Sequence, residues 1–249
     1  ILFCIGNIKG QEFPLTGNIP GTLEVTLSGQ AVYSVPVEVV PAVKHIQPAL
    51  SILFNRVFGN GLFGPNRDFR GLSTITCDQR NSCSNFWLDG NRLIVIDHKP
   101  DEGQTVYGTE TETFATITSY SLPDGPDSIP QRFTVEYDDG RILEYGFPAD
   151  KKECPENINL WVVQKINDPD GNYMIFNYDR FSENLRLKEI LYTGNFISGS
   201  DPFARVSFSY CEDLPDMSDN NPLPLFKKIE IEYLTPGSIP QNIRTYECA

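Results

Sequence analysis

Histidine is almost missing from this chain: His45 and His98 are the only two in 249 residues. A hydrolytic triad or a zinc centre draws heavily on imidazole, so the scarcity narrows the catalytic options at once. Ser73 lies in Gly71-Leu72-Ser73-Thr74-Ile75, which is not a Gly-x-Ser-x-Gly elbow, and both histidines precede extended, proline-containing segments. No Cys-x-x-Cys pair occurs. The acidic stretches Asp168-Pro169-Asp170-Gly171 and Asp213 to Asp219 do not follow the spacing of a calcium loop. Glu110 and Glu112 alternate as if on one face of a strand, where mutual repulsion could raise one carboxyl, but simple solvent exposure is the better explanation. The expectation is a protein that is not an enzyme and that has no cofactor and no metal.

Positive charge is also short. Lys and Arg total 20 against 33 Asp and Glu, a formal net charge of −13, and no basic stripe is present. Nucleic acid is therefore excluded as an expected partner, because phosphate binding takes its affinity from clustered cations. No apolar run is long enough for a membrane-spanning helix, and no Asn-x-Ser/Thr acceptor site occurs. The start at Ile1, without Met or a basic-then-apolar leader, leads to the expectation of a processed or partial chain, secreted into an oxidising compartment.

What is present is turn chemistry and alternation. Nineteen Gly and nineteen Pro separate short runs in which apolar and polar residues alternate, the period of half-buried strands. Such runs cover Thr22 to Leu27, Ala31 to Val39, Arg92 to Ile96, Phe114 to Tyr120, Arg132 to Tyr137, Ile142 to Tyr145, Tyr173 to Tyr178, Val206 to Tyr210 and Lys228 to Tyr233. Asp89-Gly90, Asp139-Gly140, Asp170-Gly171-Asn172 and Thr193-Gly194-Asn195 read as turns needing positive φ. No segment sustains a capped helical period over three turns. The fold class is all-β, antiparallel hairpins forming a curved sheet. At this length roughly 75% of the unfolded surface can be buried, enough for a core without metal or cofactor.

Residues 97–112, 121–131 and 212–225 read as long loops. A weak boundary is expected near 151–159, and two regions are assigned, 1–124 and 125–249, possibly continuous. The six cysteines, Cys4, Cys77, Cys83, Cys154, Cys211 and Cys248, fit three bridges whose connectivity the sequence does not reveal; Cys77 and Cys83 are placed to close a small local loop. Phe86, Trp87 and Tyr107 are candidates for an exposed aromatic surface that binds glycan or protein, the alternative being a packing face.

Four motifs stand in order along the first part of the chain: Tyr33-Ser34-Val35-Pro36-Val37, Gly59-Asn60-Gly61-Leu62-Phe63-Gly64, Gly71-Leu72-Ser73-Thr74-Ile75 and Leu88-Asp89-Gly90-Asn91-Arg92-Leu93. Together they resemble the amino-terminal module of the SpvB and toxin-complex B proteins. Further on, Asp170-Gly171-Asn172, Tyr178-Asp179, Arg186-Leu187 and Ile190 resemble a degenerate YD (RHS) repeat. Pro65-Asn66 and Ala42-Val43 depart from the pattern of the group. The resemblance implies a non-catalytic wall segment of a repeat-built shell that encapsulates or delivers a toxin. It implies further RHS/YD-repeat polypeptide or other toxin-complex subunits as partners.

Overall fold

The computed structural model describes residues 4–7, 20–26, 29–54, 60–61, 64–65, 67–78, 85–121, 130–146, 160–181, 184–211, 225–235 and 237–248. It is almost entirely antiparallel sheet. The strands are β1 (Cys4–Asn7), β2 (Thr22–Val25), β3 (Ala31–Pro36), β4 (Ser51–Phe54), β5 (Asn60–Gly61), β6 (Gly64–Pro65), β7 (Arg67–Arg70), β8 (Thr74–Cys77), β9 (Phe86–Leu88) and β10 (Asn91–Lys99). They continue with β11 (Gln104–Thr109), β12 (Thr116–Tyr120), β13 (Arg132–Glu136), β14 (Ile142–Gly146), β15 (Leu160–Asn167), β16 (Asn172–Phe181), β17 (Asn184–Asn195), β18 (Ala204–Cys211), β19 (Leu225–Tyr233) and β20 (Gln241–Cys248). The chain divides into two compact units, one of residues 72–175 with 195–198, the other of 1–71, 176–194 and 199–249. The division assigned at 124/125 falls between β12 and β13, which are hydrogen-bonded neighbours.

Residues 72–175 form a closed eight-stranded barrel. Each strand from β8 to β15 pairs with the next, and the ring shuts where β8 returns to β15, with Thr76 opposite Leu160, Ile75 opposite Trp161 and Thr74 opposite Val162. Closure removes the open edges of a sheet, and a barrel of this strand number is filled by its own side chains. Alternation supplies the filling. Ile75, Phe86, Leu88, Leu93, Tyr107, Ile117, Phe133, Val135, Leu143, Tyr145 and Trp161 are buried, while their strand neighbours Thr76, Trp87, Arg92, Thr118 and Thr134 are half-buried or exposed. The expected loop at 97–112 is instead mostly strand: β10 and β11 pair from Leu93–Thr109 to Lys99–Gln104 around a short 3-10 turn at Pro100–Glu102. The 3-10 turn ends on Gly103 in the left-handed region, which closes the hairpin without a long excursion.

The second unit contains two larger sheets and the small β5–β6 hairpin. Of the larger sheets, one runs β16, β17, β18, β19, β20, β1 and the other β2, β3, β4, β7. Phe69 of β7 meets Phe208 of β18 at 5.8 Å and Phe226 of β19 at 5.6 Å, both edge to face, so the sheets share an apolar layer. Val35, Ile52, Ile190, Val206, Ile229 and Ile231 are buried with them. The extended segment after β3 is tied down by polar contacts: the Tyr192 hydroxyl donates to Val40 O at 3.0 Å, Glu38 N donates to the Tyr246 hydroxyl at 2.9 Å, and Arg244 pairs with Glu38. Burial pushes the Tyr192 phenol well above its ordinary range.

Strand β16 serves both units, its first residues in the barrel unit and the remainder in the other. Thr193-Gly194-Asn195, read as a hairpin turn, lies inside the end of β17. Thr193 has φ +77°, a local irregularity within the strand, and the chain reverses only at 196–199.

Candidate functional site

Two of the motifs singled out in the sequence, Gly71 to Ile75 and Leu88 to Leu93, come together at the seam of the barrel. Asp89-Gly90 forms a two-residue turn between β9 and β10, with Leu88 opposite Asn91 and positive φ at both central residues, the twist such hairpins favour. The Asp89 carboxylate accepts from the Ser73 hydroxyl at 2.6 Å and from Thr74 N at 2.7 Å. Ser73 Oγ also lies 2.7 Å from the Tyr145 hydroxyl, and Ser73 O accepts from Val163 N. Ser73 therefore links the β9–β10 turn, β14 and β15 just before β8 begins. Its hydrogen bonds to a carboxylate and a phenol tie these elements together. Gly71, two residues earlier, has φ +102°, and a Cβ there would sit 2.0 Å from Ala49 O, so only glycine fits.

Phe86, Phe133 and Trp161 form a mutual edge-to-face cluster with centroids 5.1 to 5.6 Å apart, and Tyr107 joins at 5.9 Å from Phe86. They come from alternate strands, β9, β11, β13 and β15, as one layer of a barrel core does. Trp161 Nε1 donates to Pro130 O at 2.9 Å, satisfying the indole. Phe86 and Tyr107 are only 5% and 6% exposed. The exposed binding surface assigned to Phe86, Trp87 and Tyr107 is thus corrected: two of the three are barrel core, and Trp87, half-buried on the opposite side of β9, stands apart from them. Burial raises the Tyr107 phenol, opposed by hydrogen bonds to Ser119 and Thr105.

Asp139-Gly140 and Asp170-Gly171 close three-residue loops in which only the glycine is left-handed, with Tyr137 N bonded to Arg141 O and Asp168 N to Asn172 O. Gly171 packs against Ile197, which a Cβ would approach to 2.6 Å, and Gly140 packs against Pro169. The 168–172 loop is saturated internally: Asp168 accepts from Asn172 N and Nδ2, and Asn195 Nδ2 donates to Asn172 Oδ1 and Asp170 O. Glu110 and Glu112, expected on a strand face, sit in the β11–β12 turn. His98 Nδ1 lies 2.9 Å from Thr105 Oγ1 on the exposed β10–β11 hairpin. No group of His, Cys, Asp and Glu fit to hold a metal occurs among the described residues.

Of the remaining candidates, Gly61 pairs with Gly64 in the small β5–β6 hairpin. Gly59, Cys83, Cys154, and the whole 151–159 and 213–219 stretches lie outside the described residues. Cys77 is buried at the end of β8, and Cys211 on β18 is a half-buried free thiol, so the three-bridge expectation is corrected. In the second unit the Tyr178-Asp179 and Arg186 motif assembles as a bidentate pair, Arg186 Nε to Asp179 Oδ1 at 2.6 Å and Nη2 to Oδ2 at 3.1 Å. The guanidinium also lies 5.3 Å from the Tyr210 ring centroid. Sequence reasoning missed a second knot beside it, in which Arg205 reaches Glu232 at 2.8 Å and Glu189 at 3.6 Å; only cross-strand register brings these three together.

No protein-family model and no curated protein matches the chain. Solved structures do. A crystal structure of TcdB2-TccC3 superposes over 96% of this chain at a TM-score of 0.68 and 16% identity. The N-terminal domain of effector protein SpvB from Salmonella typhimurium strain LT2 superposes over 84% of it at 0.59 and 15% identity. The chain carries the SpvB/toxin-complex B fold. A Photorhabdus luminescens Tc holotoxin pore structure gives the same result, 96% coverage at 0.66 and 16% identity. The chain with this fold spans only 16% of the TcdB2-TccC3 chain it matches but 94% of the SpvB domain.

Proposed function

We propose that this protein is a non-catalytic wall segment of a toxin-type shell, adjoined in the assembly by further β-repeat polypeptide. The observation that carries the reading is the near-complete superposition of the chain on a small portion of TcdB2-TccC3, the relation expected of one part of a larger wall. Two further features support it. Edge strand β2 exposes Leu23 and Val25 at 70% and 71%, an apolar edge that needs covering, and β10 in the barrel wall presents Ile94, Val95 and Ile96 as an exposed apolar patch. The hydrogen-bonded Ser73–Asp89–Tyr145 cluster ties the barrel's seam together. Secretion, and a bridge at Cys77 closing the connection to β9, complete the proposal. The degenerate YD-repeat reading of β15 to β17 belongs to it as well, supported by the Asp179–Arg186 pair.

Cross-linking mass spectrometry on the native polypeptide tests the reading. Cross-links from β2 or the β10–β11 hairpin to a longer repeat-bearing polypeptide are expected. Recovery of the native protein as an unaccompanied monomer of this mass, with hydrolase or transferase activity, would overturn it.

A further inference from the structure

We infer that one mouth of the barrel is a docking surface for a basic protein segment with apolar side chains, and that Phe114 is its anchor. The barrel is an up-and-down meander, so the turns β9–β10, β11–β12, β13–β14 and β15–β16 all lie at the same end. Those turns expose six carboxylates, Asp89, Glu110, Glu112, Asp138, Asp139 and Asp170. Arg141, the one base among them, is held by Asp139 at 2.6 Å. Arg92 on the adjoining strand donates to Asn85. The turns share one field: after burial, the negative charges of Asp89 and Asp139 both push the Tyr137 phenol upward, opposed by Arg141. A collar of this sign repels nucleic acid and anionic lipid and attracts Lys and Arg.

Phe114 stands within the collar, 73% exposed. Its φ of +54° is a conformation that a bulky side chain adopts only at a cost in energy. The surrounding turn is tied at several points. Phe114 N donates to Glu112 Oε1 at 2.6 Å, Thr113 N to Thr109 Oγ1, and Asn91 exchanges two hydrogen bonds with the backbone of Thr111. An exposed ring on a braced turn, ringed by acid, has the composition of an interface hot spot, an aromatic anchor within a polar rim. The inference rests on the barrel alone and is independent of the shell reading.

The test uses the full chain and three synthetic twelve-residue peptides, alternating Lys with Leu, Lys with Ser, and Glu with Leu, in biolayer interferometry at physiological salt. The Lys–Leu peptide is expected to bind at least about tenfold more tightly than the other two, with an affinity that falls as salt rises. Phe114→Gly removes the ring and suits the left-handed backbone, so its melting temperature should not fall while binding drops about tenfold. Phe114→Tyr should retain binding, the Glu110→Gln/Glu112→Gln pair should lose it, and Leu23→Ser, in the other unit, should leave it unchanged. Equal binding of the Lys–Ser peptide would reduce the mouth to a charge effect, and equal binding of the Glu–Leu peptide to an apolar one. Either result, or unaltered binding by Phe114→Gly, overturns the inference.

Discussion

At the scale of single residues, the barrel's aromatic layer sets the largest energies. Trp161 is fully buried against Phe86 and Phe133, so Trp161→Ala should cost about 3–5 kcal/mol in urea unfolding. The Ser73 hydroxyl serves Asp89 and Tyr145 together; Ser73→Ala and Tyr145→Phe should each cost about 0.5–1.5 kcal/mol, and less than their sum in combination. Asp139 is held below the ordinary carboxylate range, first by the Arg141 backbone N–H and then by the Arg141 guanidinium. A carboxyl depressed on folding contributes stability above its unfolded value and loses it as pH falls through the folded one. NMR titration should therefore find Asp139 ionised to lower pH than a solvated aspartate, and Asp139→Asn should remove that acid-limb contribution. Non-reducing peptide mapping should return Cys77 in a cross-linked peptide and Cys211 alkylated as a thiol.

At the scale of elements, the hairpins were legible and their closure was not. Phe133, Val135, Leu143 and Tyr145 alternate around Asp139-Gly140, and the structure pairs Phe133 with Tyr145 and Val135 with Leu143 as the pattern requires. Local sequence carries that information because neighbouring strands and their turn are contiguous. The pairing of Ile75 with Trp161 has no such signal; both strands read as buried, and nothing near either names the other. The same limit turned Phe86 and Tyr107 into surface candidates, since alternation assigns residues to faces without saying which face a barrel folds inward. Thr193-Gly194-Asn195 misled for another reason. A positive φ marks an irregularity within a strand as well as a turn, and the reversal is set one step later by Asn195 Oδ1, which accepts from Ile197 N and Ser198 N. Gly171→Ala tests this stacked corner. With φ +85° and Ile197 within 2.6 Å of any Cβ, thermal unfolding should show a loss of about 1 kcal/mol or more.

At the scale of the whole molecule, the sequence yielded the fold class and the resemblance that the superpositions bear out, through motifs whose residues now have physical jobs: Gly71 for a close backbone approach, Ser73 and Asp89 for the seam. The ring geometry bears on biosynthesis. Thr74–Cys77 is made before the rest of the barrel but gains its second neighbour only when Leu160–Val162 has been made. Until then the nascent chain is an open sheet with two raw flanks, and non-local closure of this kind is slow. Translation arrested before residue 160 should leave a protease-sensitive, chaperone-bound product, whereas arrest after β16 should release a resistant fragment. In cells, the supply of this protein would then depend on holdase capacity during that interval more than on the stability of the finished barrel.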